Sequence, residues 1–331
     1  VITADELKYQ NPPGAGYEWA ETYFFPVPVP EEHLLAHVYV VVRPELGVMT
    51  NEVYVYGSLT DTRSELLHYN VRNHLPAPVE WAKLDSPMGL KITAHTPPRD
   101  YRIDYVGTDG TEIHVDWNGV MEPFDIHDPA HSPRAGRTEE ERLANSSSGS
   151  AYKGHFDMTG RITGTLTIRG REFRVDCIER MDRSWGPRPE GIQAMNSINA
   201  NFGDDLAFHF RAPRDLTAPG RARTEVAHGY VFDNGEVYGV VEGHYTANRF
   251  GGMLATLEAE LTDTRGRHFH LHASPDVGAP WYAYPGSICW NSMMKWTLGE
   301  AVGYGVVMDN TSIDTLVAAH GRWPADGPRL F

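Results

Sequence analysis

The stretch YRIDYVGTDGTEIHVDW, residues 101–117, alternates apolar and polar side chains on both sides of Thr108-Asp109-Gly110-Thr111. Alternation with a period of two marks a half-buried strand, and a Gly-bearing tight connection joins two such strands antiparallel. The arrangement recurs around Asp233-Asn234-Gly235-Glu236 and Thr264-Arg265-Gly266-Arg267. Further strand-like runs cover His37 to Arg43, Glu52 to Gly57, Leu90 to His95, Arg161 to Ile168, Glu172 to Ile178, Leu206 to Arg211, Val226 to Phe232, Glu236 to Tyr245, Leu254 to Thr262, His268 to Ala273 and Ala301 to Asp309. Short strands so spaced, with almost no helix-period segments between them, predict an all-β protein built from antiparallel barrels or sandwiches.

At 331 residues the chain fits two domains better than one. The strand pattern breaks from Asp128 to Tyr152, where Pro129, Pro133, a charged run and the Ser-rich tract 146–150 intervene. Within it, Thr138 followed by Glu139-Glu140-Glu141 predicts a short capped helix, with acidic groups favourable at its start. The expected division is an N-terminal lobe over 1–150 with an inter-lobe segment at 128–152, and a C-terminal lobe over 151–331.

A formal charge of −15, with Lys and Arg scattered rather than gathered into a stripe, argues against nucleic acid as a partner. No run approaches the roughly 20 apolar residues of a membrane-spanning helix. The opening residues Val1 to Glu6 lack the basic start and apolar run of a secretory signal, so the cytoplasm is the expected compartment. Cys177 and Cys289 alone build neither a disulfide framework nor a Cys-based zinc site. No P-loop, dinucleotide fingerprint, Gly-x-Ser-x-Gly elbow or His-Glu-x-x-His is present, and no cofactor is expected. His268, His270 and His272 share one strand face and have the chemistry of metal ligands. Ordinary alternation with Phe269 and Leu271 accounts for them equally well as a solvated face, so no metal is expected.

The chemistry concentrates in Glu179-Arg180-Met181-Asp182-Arg183-Ser184-Trp185-Gly186-Pro187-Arg188. It is read as a Gly/Pro-limited turn, Asp182 to Glu190, following a strand that ends near Ile178. Asp182 is held ionised if it meets Arg180, Arg183 or Arg188, and protonated if it is buried beside Trp185 away from them. The plainer alternative is an ion-pair network that braces two lobes, with Trp185 as a packing plug.

Asp182-Arg183-Ser184-Trp185-Gly186 resembles the Asp-(His or Arg)-x-Trp-Gly signature of the AttH-like, lipocalin-type superfamily that includes carotenoid hydratases. Strands from Gly154-His155-Phe156 to Gly170-Arg171-Glu172-Phe173 are similar to that group's C-terminal half, and Tyr9-Gln10-Asn11-Pro12-Pro13-Gly14 with Trp19 and Glu21 to its N-terminal half. The resemblance implies two lipocalin-like barrels with a ligand cavity near their junction, and relatives that are hydratases, cyclases or pericyclic catalysts acting on polyenes. It carries over Asp182 as the motif acid and Trp185 as the motif aromatic. Arg183 stands where many relatives have His, which removes an obvious proton shuttle.

The resulting expectation is a cofactor-independent hydratase, dehydratase, isomerase or cyclase acting on an apolar, isoprenoid or polyene-like molecule. Asp182, with Arg183 and His155, is the catalytic set. Trp185, Arg180, His209, Trp281, Tyr284 and His127 line or orient the substrate, the aromatic faces favouring developing positive charge. The alternatives are a carrier that needs the cavity but not the acid, and a pericyclic catalyst that works by shape.

Overall fold

A computed structural model describes residues 1–146, 148–188, 194–214, 222–250, 252–314, 316 and 317. Ser147 of the Ser-rich tract, and Pro189 and Glu190 at the end of the motif segment, lie outside the described residues.

The described residues form two antiparallel sheets. The three hairpins read from sequence are present: Asp100–Val106 pairs with Glu112–Gly119, His228–Asp233 with Glu236–Phe250, and Met253–Asp263 with His268–Trp281. At the second turn Asn234 and Gly235 both adopt positive φ, 51° and 88°, as a two-residue connection between twisted strands requires.

The second sheet closes into a barrel, because Glu236–Phe250 pairs with His228–Asp233 on one side and Met253–Asp263 on the other. The first sheet runs, in order of hydrogen bonding, His68–Pro76, Val48–Tyr56, Leu34–Arg43, Trp19–Val29, Arg171–Pro187, Gly154–Ile168, Glu112–Gly119, Asp100–Val106, Leu90–Thr96 and Lys83–Asp85. It curls around its own core of Tyr23, Phe25, Trp81, Tyr101 and Trp117 without its end strands pairing. These are the two lipocalin-like lobes that the strand pattern and the resemblance imply.

The change of sheet falls elsewhere than residue 150. Gly154–Ile168 and Arg171–Pro187 belong to the first sheet, where Arg171–Pro187 pairs with Trp19–Val29 from Trp19↔Pro187 to Phe24↔Asp182. The second sheet begins at Met195. The segment 128–152 therefore connects strands of one sheet, because the Pro and Ser residues that read as a linker serve equally for a long return loop. Its capped helix is present at Glu139–Asn145, with Glu141 N–H donating to Thr138 Oγ1 at 3.1 Å and Thr138 N–H to Glu141 Oε2 at 3.2 Å.

Trp19–Val29, absent from the sequence reading because of Pro26 and Pro28, is central and buried along its whole length. Its pairing with Arg171–Pro187 stops at Phe24, so both prolines lie beyond the reach of that second ladder. The lobes meet through a third apolar cluster, in which Phe24, Tyr39 and Tyr56 of the first sheet pack on Trp281, Tyr284 and Met308 from the second half of the chain.

Candidate active site between the sheets

The strand Arg171–Pro187 continues through the Asp-Arg-Ser-Trp-Gly motif, which is therefore extended strand and not a turn. Side chains alternate faces along a strand. Arg180, Asp182 and Ser184 accordingly point to the seam between the sheets, whereas Arg183 and Trp185 lie on the side of the first core.

On the seam side, His155, Asp157 and Thr159 stand on the neighbouring strand in matching register, with Asp157 opposite Asp182. Arg180 Nη1 lies 2.6 Å from Asp157 Oδ1 and 2.6 Å from Asp182 Oδ2. From the second sheet, Arg211 Nη2 approaches the same two oxygens at 3.4 Å each. The other oxygen of Asp157 faces His155 Nε2 at 2.9 Å and His209 Nε2 at 3.1 Å. All of these groups are buried, Asp182 being the most exposed at 6%. The imidazoles and guanidiniums around Asp157 hold its carboxyl well below the usual carboxylate range despite burial. Burial pushes His209 down to about 4 and lowers His155, so both rings are neutral near pH 7.

Asp182 opens from this network into a small cavity of about 70 Å³, walled by Phe24, Tyr39, Trp281, Tyr284, Met195 and Met308. Polar groups enter it from Ser184, Arg188, Thr22 and Asn310. Only Oδ2 of Asp182 is engaged by the guanidiniums, and Oδ1 has no hydrogen-bond partner among the described residues. Across the chamber, the Tyr39 hydroxyl donates to the Tyr284 hydroxyl at 3.1 Å, which leaves the Tyr284 proton for whatever occupies the space. Burial raises the Tyr39 phenol well above its ordinary value and keeps it a neutral donor.

Residues 4–312 match a domain of unknown function, DUF7064. The chain belongs to the DUF7064 family. A search of the curated proteins returns no match for it. Among solved structures it is similar to kievitone hydratase from Nectria haematococca, with a TM-score of 0.53 at 11% identity over 95% of this chain and 96% of that one. It is also similar to an AttH-like protein from Nitrosomonas europaea, with a TM-score of 0.54 at 14% identity over 91% and 95%. At these identities the likeness is one of fold, and it agrees with the AttH-like resemblance carried by the motif.

In this DUF7064 chain, Asp182, Trp281 and Tyr284 share the chamber, while Arg180, His155 and His209 stand behind it around Asp157. His127 is one step further out and contacts the Tyr152 carbonyl through Nε2 at 2.8 Å. Arg183 is not with Asp182. Fully buried, it donates to Glu21 Oε2 at 2.7 Å and to the backbone carbonyls of Glu6 and Lys8 at 2.7 and 3.0 Å, with Trp81 at 4.5 Å below its guanidinium. Trp185 shares that side, 5.2 Å from the Arg183 guanidinium, and is seated on Gly154, where a Cβ would lie 2.0 Å from the indole. Strand parity places Arg183 and Trp185, expected at the substrate, on the face of the strand away from the chamber. Glu21 and Gln10, quoted for the family resemblance, belong to this brace as well, Gln10 N–H donating to Glu21 Oε1 at 2.7 Å.

Asp157, Arg211, Tyr152 and Arg188 are the site residues that sequence reasoning missed or passed over. The signal was available for the first two, because His155-x-Asp157-x-Thr159 and His209-x-Arg211 repeat polar residues at alternate positions of strands otherwise apolar. Nothing local marks Tyr152, whose hydroxyl accepts from Arg211 Nη1 at 2.5 Å and whose ring stacks 4.5 Å from His155. His268, His270 and His272 occupy an exposed strand face, His268 Nδ1 lying 2.9 Å from Thr262 Oγ1.

Proposed function

We propose that the chamber is the active site of a cofactor-independent lyase or isomerase, a hydratase, dehydratase or cyclase, with Asp182 as the group that accepts the proton. The observation that carries this reading is the divided role of the Asp182 carboxylate, one oxygen fixed by Arg180 and Arg211 and the other presented to an aromatic-walled space. Fixing one oxygen sets the direction of the second without further cost in conformational freedom. A carboxylate in two ion pairs takes a proton before it gives one, so of the two states left open for Asp182 this reading takes the ionised one, a base. The donor is then the Tyr39–Tyr284 pair on the facing wall. A substrate held between them loses a proton to Asp182 and gains one from the phenol, the pattern common to dehydration, its reverse and enol-type isomerisation. The similarity in fold to kievitone hydratase is consistent with this class of reaction.

A cavity of about 70 Å³ admits the reacting end of a molecule rather than an entire polyene. An open groove of about 490 Å³ shares Ala283 and Tyr284 with it and provides room for the apolar remainder of the substrate. One observation favours a second reading, a carrier in which Asp182 merely joins the sheets: its Oδ2 contacts Arg211 of the other sheet.

The test is incubation in heavy water with a panel of aryl β-hydroxy and α,β-unsaturated carbonyl compounds, with mass spectrometry reading deuterium uptake or gain and loss of water. Asp182→Asn lowers the rate by about 10²–10⁴-fold if the carboxylate moves the proton. An Asp182→Asn protein that melts lower yet turns over normally per folded molecule leaves the carrier or shape-based account standing.

A further inference from the structure

The chamber carries a cation that no carboxylate among the described residues neutralises. Arg188 follows the motif strand and is only 4% exposed. Its Nη2 donates to Ser184 Oγ at 2.8 Å, and Ser184 Oγ lies 2.7 Å from Thr22 Oγ1. The guanidinium sits 5.2 Å from the centre of the Tyr152 ring. It forms no ion pair among the described residues, and its Nη1 is buried with no hydrogen-bond partner although the side chain lines the chamber.

A buried guanidinium without a counter-charge is costly, and such residues are ordinarily paired or in contact with a ligand. Counting the groups at the seam shows how unusual this one is. The positive groups are Arg180, Arg211 and Arg188, and the carboxylates in ion pairs with them are Asp157 and Asp182, while the buried carboxyls of Glu179 and Glu52 are met by Asn199, the Val306 N–H and Trp281. His155, His209 and His228 are all lowered by burial and add no charge near neutrality. Asp157 and Asp182 are both taken by Arg180 and Arg211, and no carboxylate among the described residues pairs with Arg188. Arg183 also leaves its Nη1 unbonded, but on the other side of the strand and with Glu21 meeting its charge. Among the described residues, Arg188 is the cation at this seam that has no ion-pair partner.

We infer that the chamber binds substrates bearing an anionic oxygen, a carboxylate or an acidic enol or phenol, with that oxygen on Arg188 Nη1 and the reacting carbon toward Asp182 Oδ1. The rest of the molecule is apolar, to match Phe24, Trp281 and Met308. A guanidinium suits this task because it presents parallel donors to a planar oxygen pair and never loses its charge. The inference rests on the chamber being the binding site and deepens the reading above by naming the substrate class. Arg188 replaces Arg180 and Arg183 as the residue that orients a polar substrate end, since both of those are committed to Asp157, Asp182 and Glu21.

The experiment measures dissociation constants of three acids, benzoate, phenylacetate and cinnamate, against their corresponding alcohols, using the full chain at low ionic strength. The unaltered protein prefers at least one acid by about 10-fold or more, the range of a charge-assisted hydrogen bond in a buried site. Arg188→Met abolishes that preference while leaving alcohol binding in place, and Arg188→Lys keeps part of it. If Arg188→Met does not fold, a reduced preference in folded Arg188→Lys carries the same information. No acid bound more tightly than its alcohol, or a preference that survives in Arg188→Met, overturns the inference. Asp182→Asn separates this from the proton-transfer reading. A variant that keeps both its turnover and the acid preference removes the base and supports the anion site. Loss of turnover in Asp182→Asn, with no acid preference in the unaltered protein, retains the base and overturns the anion site.

Discussion

Asp157 and Asp182 face each other across adjacent strands, and a single nitrogen, Arg180 Nη1, lies 2.6 Å from an oxygen of each. Two carboxylates at such a separation repel unless a cation stands between them. Arg180→Met removes that cation and leaves Arg211, at 3.4 Å from each, as the remaining partner. The expected loss is about 3–5 kcal/mol, the scale for breaking a buried pair from one side. Denaturant unfolding checks this, and a loss below about 1 kcal/mol would mean that Arg211 alone holds the pair.

Arg183 belongs to the scaffold, and its variants should separate stability from chemistry. Arg183→Met strands the Glu21 carboxylate and frees the carbonyls of Glu6 and Lys8, so the N-terminal segment loses its anchor. Glu21→Gln strands the guanidinium in the same way. Each variant should lower stability by about 3–5 kcal/mol, and the double variant should lose less than the sum. Turnover per folded molecule should stay within about twofold. A large fall in turnover with unchanged stability would place Arg183 at the chamber after all.

Glu52 supplies a pH test that does not depend on knowing the substrate. It is buried at the junction of the lobes, where it accepts from Trp281 Nε1 at 2.5 Å, and burial pushes its carboxyl up to about 7 against the opposing influence of Trp281 and Arg63. The unfolded chain titrates this group near 4.3, so the folded form binds more protons between these values. Stability from this group is fully present at low pH and lost as pH rises through about 7. Glu52→Gln imitates the protonated form. Its melting temperature relative to the parent should therefore climb by several degrees between pH 5 and pH 8, while a difference that stays constant would show Glu52 ionised throughout.

Gly154 permits the seat of Trp185, since a Cβ there would sit 2.0 Å from the indole. Gly154→Ala forces the ring or the strand aside at an expected cost of about 1–3 kcal/mol. Trp185→Leu should restore part of the loss in the double variant, and thermal melts of the four proteins measure the coupling.

Much of the fold was legible because strand alternation and Gly-bearing turns are local signals. Tyr101 to Trp117 and Asp233 to Glu236 appear as read. Trp19–Val29 was not, because its prolines argue against a central strand and only the register with Arg171–Pro187 shows why they are tolerated. The sheet to which Gly154–Ile168 belongs was hidden for a related reason: it depends on a pairing with residues that close in space only after folding. Asp182, Trp281 and Tyr284, expected together, do line one chamber, but the motif was read as a turn. That reading hid the parity which sends Arg183 and Trp185 away from Asp182. Arg188 was visible as a charge, but that no carboxylate among the described residues pairs with it was not, since such a lack is a property of the packed state.

The motif strand therefore holds two alphabets interleaved residue by residue. Asp182 and Ser184 address the chamber with Arg180 behind them, while Met181, Arg183 and Trp185 address the scaffold, and Glu21 and Gly154 read only the second set. An exchange of Arg for His at position 183 of this chain is then a change to the brace with Glu21. Divergence in chemistry should instead be written at every other position, together with the residue after Pro187. A signature that scores all five consecutive residues as one word groups proteins by how they are held together, and two members alike in it can still differ in what they transform.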